Sequence, residues 1–129
     1  MTNDAGPLHH DSVAIAQTIA VQYFPAFMRS HDEVLGFYSN NAVLTWNGQN
    51  LSGKSEIHQY FKTLPEVSIQ VAGFEVQTVP GTNLMTMLVV FGSIEAPGNL
   101  IRDFHSTFYI ESMPEKKEAL IRYHTFQLI

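Results

Sequence analysis

At 129 residues the chain is long enough for one domain with a real core, and it contains no cysteine, which excludes disulfides and thiolate metal sites. Its formal net charge is -5 and its seven Lys+Arg residues are scattered, so the cationic stripe that grips a phosphate backbone is missing and this chain alone is not expected to bind nucleic acid. Charged residues make up only 15% of it, against about 25% in typical soluble domains, and aromatic residues 12%, a balance that points to apolar surface meeting another chain.

Residues 1–10, with Asn3, Gly6, Pro7 and the pair His9-His10, read as a flexible tail ahead of a single domain over 11–129. The tail lacks a signal-peptide apolar core, and the longest apolar run, Met85 to Phe91, is too short to cross a bilayer, so a soluble, intracellular chain is expected. From about Asp11, Val13, Ile15, Ala16, Ile19, Ala20, Tyr23, Phe24, Phe27 and Met28 recur at helical spacing, with Asp11 or Ser12 as N-cap. Pro25 should kink that helix or end it early. A short second helix is expected over His31 to Tyr38. A short strand, Ala42 to Trp46, then meets the hairpin signal Asn47-Gly48. Ser52-Gly53 opens a third helix over Lys54 to Leu64, closed at Pro65. Four long strands follow: about Val67 to Val79, Leu84 to Glu95, Leu100 to Glu111 and Ala119 to Leu128. Turns fall at Pro80 to Asn83, Ala96 to Asn99 and in the segment Ser112 to Glu118. The fold class is therefore α+β, with three N-terminal helices packed on a curved antiparallel sheet.

Strand alternation assigns the faces. Leu84 to Phe91 is apolar on both faces except for Thr86, so helices can cover one face and something else must cover the other. In Leu100 to Ile110, Phe104 and Phe108 suit the helix side, which sends Asp103, His105, Thr107 and Tyr109 outward. Tyr123, Thr125 and Gln127 share a face on the last strand, as do Glu75 and Gln77 on the first long one. The expected partner interface is Glu75, Gln77, Met87, Val89, Phe91, Asp103, His105, Tyr123, Thr125 and Gln127. Trp46 either lines a small apolar pocket or is a core aromatic. Asp103, His105, Tyr38 and Tyr109 are the parts available for an acid–base enzyme, but the outward facing of Asp103 and His105 argues against catalysis. No histidine pair has metal-ligand spacing, and His58 is expected to face solvent; no cofactor, metal or catalytic residue is assigned.

The strings Leu44-Thr45-Trp46-Asn47-Gly48, Leu51-Ser52-Gly53, Phe61-Lys62-Thr63-Leu64-Pro65, Leu88 to Ser93, Gly98-Asn99 and Arg102-Asp103-Phe104, in that order, make the chain from about residue 12 onward resemble the nuclear transport factor 2 family. Within it the likeness is nearest to the related export proteins, small subunits of the mRNA export receptor heterodimer. The resemblance implies a cone-shaped fold that dimerises through its sheet with the similarly folded domain of a large subunit. It also implies a shuttling location at the nucleus and nuclear envelope, with pore phenylalanine-glycine repeats reached through the complex. Where the homodimeric import factor carries Glu, this chain has Asn47, and the acidic loop of that factor reads Ala96-Pro97-Gly98-Asn99 here; both differences argue against import of Ran-GDP. Glu75 keeps the charge of an Asp that pairs with the partner in animal export subunits, whereas Thr125 stands where they have Arg and cannot replace a guanidinium. The alternatives on the same fold are a homodimeric import factor or peptide-binding module, and a small-molecule isomerase or hydrolase.

Overall fold

The structure, a computed structural model, describes residues 5–81, 84–113 and 118–129, with side-chain burial from residue 13 onward. The helices are α1 (Ala5–Arg29), α2 (His31–Val34, continued by a 3-10 turn over Leu35–Phe37) and α3 (Gly53–Phe61). The strands are β1 (Tyr38–Trp46), β2 (Gln49–Ser52), β3 (Ser68–Thr78), β4 (Met85–Ala96), β5 (Leu100–Met113) and β6 (Glu118–Leu128). They form one six-stranded sheet in the order β2-β1-β6-β5-β4-β3, an α+β arrangement with the helices on one face.

Helix α1 departs twice from its sequence pattern. It starts at Ala5, inside the stretch read as a tail, and not near Asp11. Pro7 fits its first turn, where a missing N–H would have no intrahelical partner anyway. It also runs through Pro25 to Arg29. The packing of Tyr23, Phe24, Ala26 and Phe27, all buried, holds helical geometry on both sides of the proline. The carbonyl that Pro25 cannot bond belongs to Val21, whose residue is exposed and open to water.

In α2 the Ser30 hydroxyl accepts from the Glu33 N–H as N-cap, and His58 of α3 meets Asp32 at 2.5 Å, so His58 ties two helices together and does not simply face solvent. Helix α3 stops at Phe61, earlier than expected. Strand β1 begins at Tyr38, earlier than its apolar run, and Asn47 and Gly48 both take positive φ (49° and 90°) in the turn to β2.

The long strands β3 to β6 form the expected antiparallel meander. The sheet as a whole is not antiparallel: β1 lies parallel to β6, with Val43 opposite Tyr123 and Trp46 opposite Phe126. Parallel pairing needs a long crossover, which everything between β1 and β6 supplies. The turn residues Thr82 and Asn83, and residues 114–117 between β5 and β6, lie outside the described residues.

The core lies between α1, α3 and the concave side of the sheet. Tyr23, Phe24 and Phe27 of α1 meet Phe104, Phe108 and Phe126 of the sheet, with Phe61 of α3 against Phe27 and Trp46. Rings fully buried at this density contribute about 2–3 kcal/mol each in transfer terms.

Candidate protein-interaction face

Strand register and burial together define two faces. Thr86, Leu88 and Val90 of β4, Phe104, Ser106, Phe108 and Ile110 of β5, and Ile121, His124 and Phe126 of β6 are buried against the helices. Their alternating neighbours face outward. Three rows cross the outer face. Gly73, Phe91, His105 and Gln127 form one; Glu75, Val89, Thr107 and Thr125 the next; Gln77, Met87, Tyr109 and Tyr123 the third. The residues expected at a partner interface thus lie together on one side of the sheet, with Asp103 one step beyond the Phe91 row, opposite Ser93.

Two bulges keep this arrangement in register. One falls between Val71 and Gly73 on β3, the other at Arg122 on β6, where Tyr123 still pairs with Tyr109 although Ile121 pairs with Ile110. The second bulge frees Arg122 to pair with Glu111 at 2.6 Å. Without it, a strict two-residue period would put Ile121 and His124 on opposite faces.

The outer face is neither a wet surface nor a core. Phe91 is 41% exposed and Tyr123 49%, while Met87, Val89 and Tyr109 are half-buried. Tyr109 and Tyr123 meet edge to face, ring centres 6.4 Å apart. The Phe91 ring lies over Gly73, and Phe91 and Asp103 border a depression of about 490 Å³. Glu75 and Asp103 have no ion-pair partner among the described residues, so the charges left open on this face are acidic.

The residues considered for acid–base chemistry are not assembled. Asp103 and His105 are exposed on the outer face, and neither side chain has a hydrogen-bond partner among the described residues. Tyr38, by contrast, is fully buried on the other side. It belongs to a chain of hydrogen bonds that sequence reading missed: Tyr23 Oη to Tyr38 Oη at 2.5 Å, Tyr38 Oη to His124 Nδ1 at 2.7 Å, and His124 Nε2 to Ser106 Oγ at 2.6 Å.

The directions follow from proton counting. Ser106 donates its one hydroxyl proton to the Thr125 carbonyl at 2.8 Å, so its oxygen accepts from His124 Nε2–H. Nδ1 is then bare and accepts from Tyr38, whose oxygen accepts from Tyr23. Every proton is placed with the imidazole neutral. Burial pushes the His124 pKa down to about 3 and holds the Tyr23 and Tyr38 hydroxyls above the ordinary range. Tyr23, Tyr38, Ser106 and His124 are all sealed from solvent, so this run of hydrogen bonds lies wholly within the core. The available signal was a histidine between Tyr123 and Thr125 whose alternation already placed it inward.

Trp46 is 5% exposed; it stacks on Phe126 at 4.1 Å and forms part of the wall of a cavity of about 460 Å³ beside α3. Among the described residues no group of three metal-ligating side chains comes together, and no helix is long and apolar enough to cross a membrane.

The sequence model of the family described as "Nuclear transport factor 2 (NTF2) domain" matches residues 15–118. NTF2-related export protein 1 of Bos taurus is 29% identical over 77 residues, 57% of this chain and 55% of that protein, so the chain spans about half the length of that relative. Among solved structures, nuclear transport factor 2 of Cryptosporidium parvum superposes with a TM-score of 0.80 at 19% identity, covering 92% of this chain and 94% of that one. The C. albicans Mtr2-Mex67 M domain complex gives 0.75 at 14% identity, covering 91% and 94%.

Proposed function

The chain belongs to the nuclear transport factor 2 (NTF2) domain family, and from that premise we propose that it is the small adaptor subunit of a nuclear mRNA export receptor. It pairs through its outer sheet face with the similarly folded domain of a larger subunit. The observation that carries this reading is the outer face itself, where Met87, Val89, Phe91, Tyr109 and Tyr123 form a half-exposed apolar band edged by Glu75, Gln77, Asp103, His105, Thr125 and Gln127. Covering the band removes apolar surface from water, and the polar edge penalises a partner that leaves it unmatched. Glu75 and Asp103, which have no ion-pair partner among the described residues, favour a partner that brings cations over a second copy of the same acidic face. The names of similar proteins support the export role and the pairing: an export protein in Bos taurus and a two-protein complex in C. albicans.

The role is scaffolding and needs no cofactor. The subunit completes the large subunit's folded surface, which reaches pore phenylalanine-glycine repeats as the complex moves between nucleus, nuclear envelope and cytoplasm. An obligate pairing of this kind buries more than about 1,600 Å² in total.

Co-expression of the chain with the matching domain of an export-receptor large subunit from its own organism should give a one-to-one heterodimer by mass in solution. Phe91→Arg or Tyr123→Arg should abolish co-purification and leave the circular dichroism unchanged, because both side chains already reach solvent. A stable homodimer that ignores the large subunit, or pairing that survives both substitutions, overturns the proposal.

A further inference from the structure

Strand β3 is one edge of the sheet, eleven residues long, and contains no lysine, arginine or proline. Soluble proteins blunt such edges with lysine, with proline or by keeping them short. The opposite edge, β2, is blunted by its length of four residues. A bulge interrupts β3 after Val71, but Gly73 to Thr78 then pair with β4 in unbroken register. Among the described residues nothing else pairs with that run, so its outward N–H and C=O groups stay open. Nearer the start of the strand, the Ile69 N–H points off the sheet and meets only the Met28 sulfur, a weak acceptor, at 3.2 Å.

A groove of about 390 Å³ separates this edge from α1, lined by Val21, Pro25 and Met28 of the helix and Val71 and Phe74 of the strand. Val71 and Phe74 lie on the helix side of the sheet, opposite Gly92 and Val90, yet they are 38% and 37% exposed. Helix α1 therefore does not cover the sheet out to its edge. Val21 and Met28, on the flank of α1, are exposed as well. The groove thus has apolar walls on both sides and a row of open backbone groups along one of them. A helix or a lipid chain could fill such a groove but would leave the backbone row unbonded. An extended strand fills it and bonds the row.

We propose that the β3 edge docks an extended segment of a partner protein as a seventh strand of the sheet. Its inward side chains, at alternate positions, are apolar and fill the groove between Phe74 and Val21. Its outward side chains include a Lys or Arg beside Glu75, the only charged residue of β3 and one without an ion-pair partner among the described residues. A second copy of this chain is the wrong occupant, because its β3 brings another Glu75 and no cation. The groove opens on the helix side of the sheet, so docking there does not depend on the adaptor role.

The probe is the synthetic peptide Thr-Val-Lys-Val-Lys-Val-Thr, titrated into the purified, isotope-labelled full chain. Backbone amide resonances of Gly73 to Thr78, and those around Val21, should shift saturably, while those of β2 stay still. Methylating one alternate set of the peptide's nitrogens should abolish binding. Methylating the other set, which faces away, should leave the affinity within about twofold. Replacing both lysines of the peptide with glutamate should weaken binding about fivefold, and Glu75→Gln in the protein should remove that preference. Val21→Lys, a change at an exposed helix position, should weaken binding about tenfold and leave the circular dichroism unchanged. No saturable shift in β3, equal effects of the two methylation patterns, or a preference for lysine that survives Glu75→Gln overturns the proposal.

Discussion

Acidification should destabilise this protein through His124, by an amount the structure allows to be worked out. In the folded chain the imidazole is boxed in by Tyr23 of α1, Tyr38 and Trp46 of β1, and Ser106 and Phe108 of β5, with the Phe108 ring stacked at 3.9 Å. None of these is an acid that could offset a positive charge. Its pKa is held at about 3 by burial, against 6.5 when free. Below pH 6.5 the unfolded chain therefore binds a proton that the folded chain refuses. Stability is fully present above 6.5 and falls as the pH drops from there toward 3. At pH 5 the unfolded state gains about 1.5 pH units of binding advantage, about 2 kcal/mol at 1.36 kcal/mol per unit. That figure is set by the unfolded value alone, provided the folded one stays below about 4. Urea unfolding at pH 7.5 and pH 5, on the unaltered chain and on His124→Gln, isolates this contribution from the other histidines: the unaltered chain should lose about 2 kcal/mol more than the variant. The His124 ring resonances should also stay still between pH 8 and pH 5. Titration of those resonances in that range, or the same pH dependence in both proteins, refutes the reasoning.

Ser106→Ala should cost about 1–3 kcal/mol in urea unfolding, because it strands the His124 Nε2–H in a dry core. Gly92→Ala should cost about 2 kcal/mol or more, since a Cβ there falls 2.0 Å from the Gln70 carbonyl oxygen, a backbone atom that cannot step aside. Gly73→Ala should cost less than about 1 kcal/mol: its Cβ meets only the Phe91 ring at 2.9 Å, and a half-exposed ring can swing away. Equal losses for the two glycines would mean that the β3–β4 pairing near the bulge is looser than described. Exchanging Glu111 for Gln should move the unfolding midpoint only slightly, because its ion pair with Arg122 is partly exposed.

The sequence carried the outer face because that face depends on local alternation, and alternation survives wherever a strand is regular. Phe104 and Phe108 inward, with Asp103 and His105 outward, could be read from alternation and side-chain bulk alone. What escaped depends on distant parts of the chain. The parallel union of β1 with β6 joins residues about eighty positions apart, and no local pattern announces it. The early start of β1 at Tyr38 has the same origin, since Tyr38 is drawn into the sheet opposite Ile121 and not by its own neighbours. Pro25 was read by its local rule, which aromatic packing on both sides overrode. His124 was placed on the correct face, but its bonds to Tyr38 and Ser106 require three separate strands to be assembled first.

The position of β6 between β1 and β5 has a consequence for synthesis. On a ribosome, β1 and β2 emerge early and the β3–β5 ribbon much later, yet neither can join the other until residues 118–128 have cleared the exit tunnel and wedged between them. The nascent chain therefore holds two unclosed half-sheets, each offering a bare backbone edge to other nascent chains. The contacts that close the sheet are the slow, non-local kind. Folding commits in one late event, so a messenger truncated before β6 yields a sticky fragment and not a smaller domain.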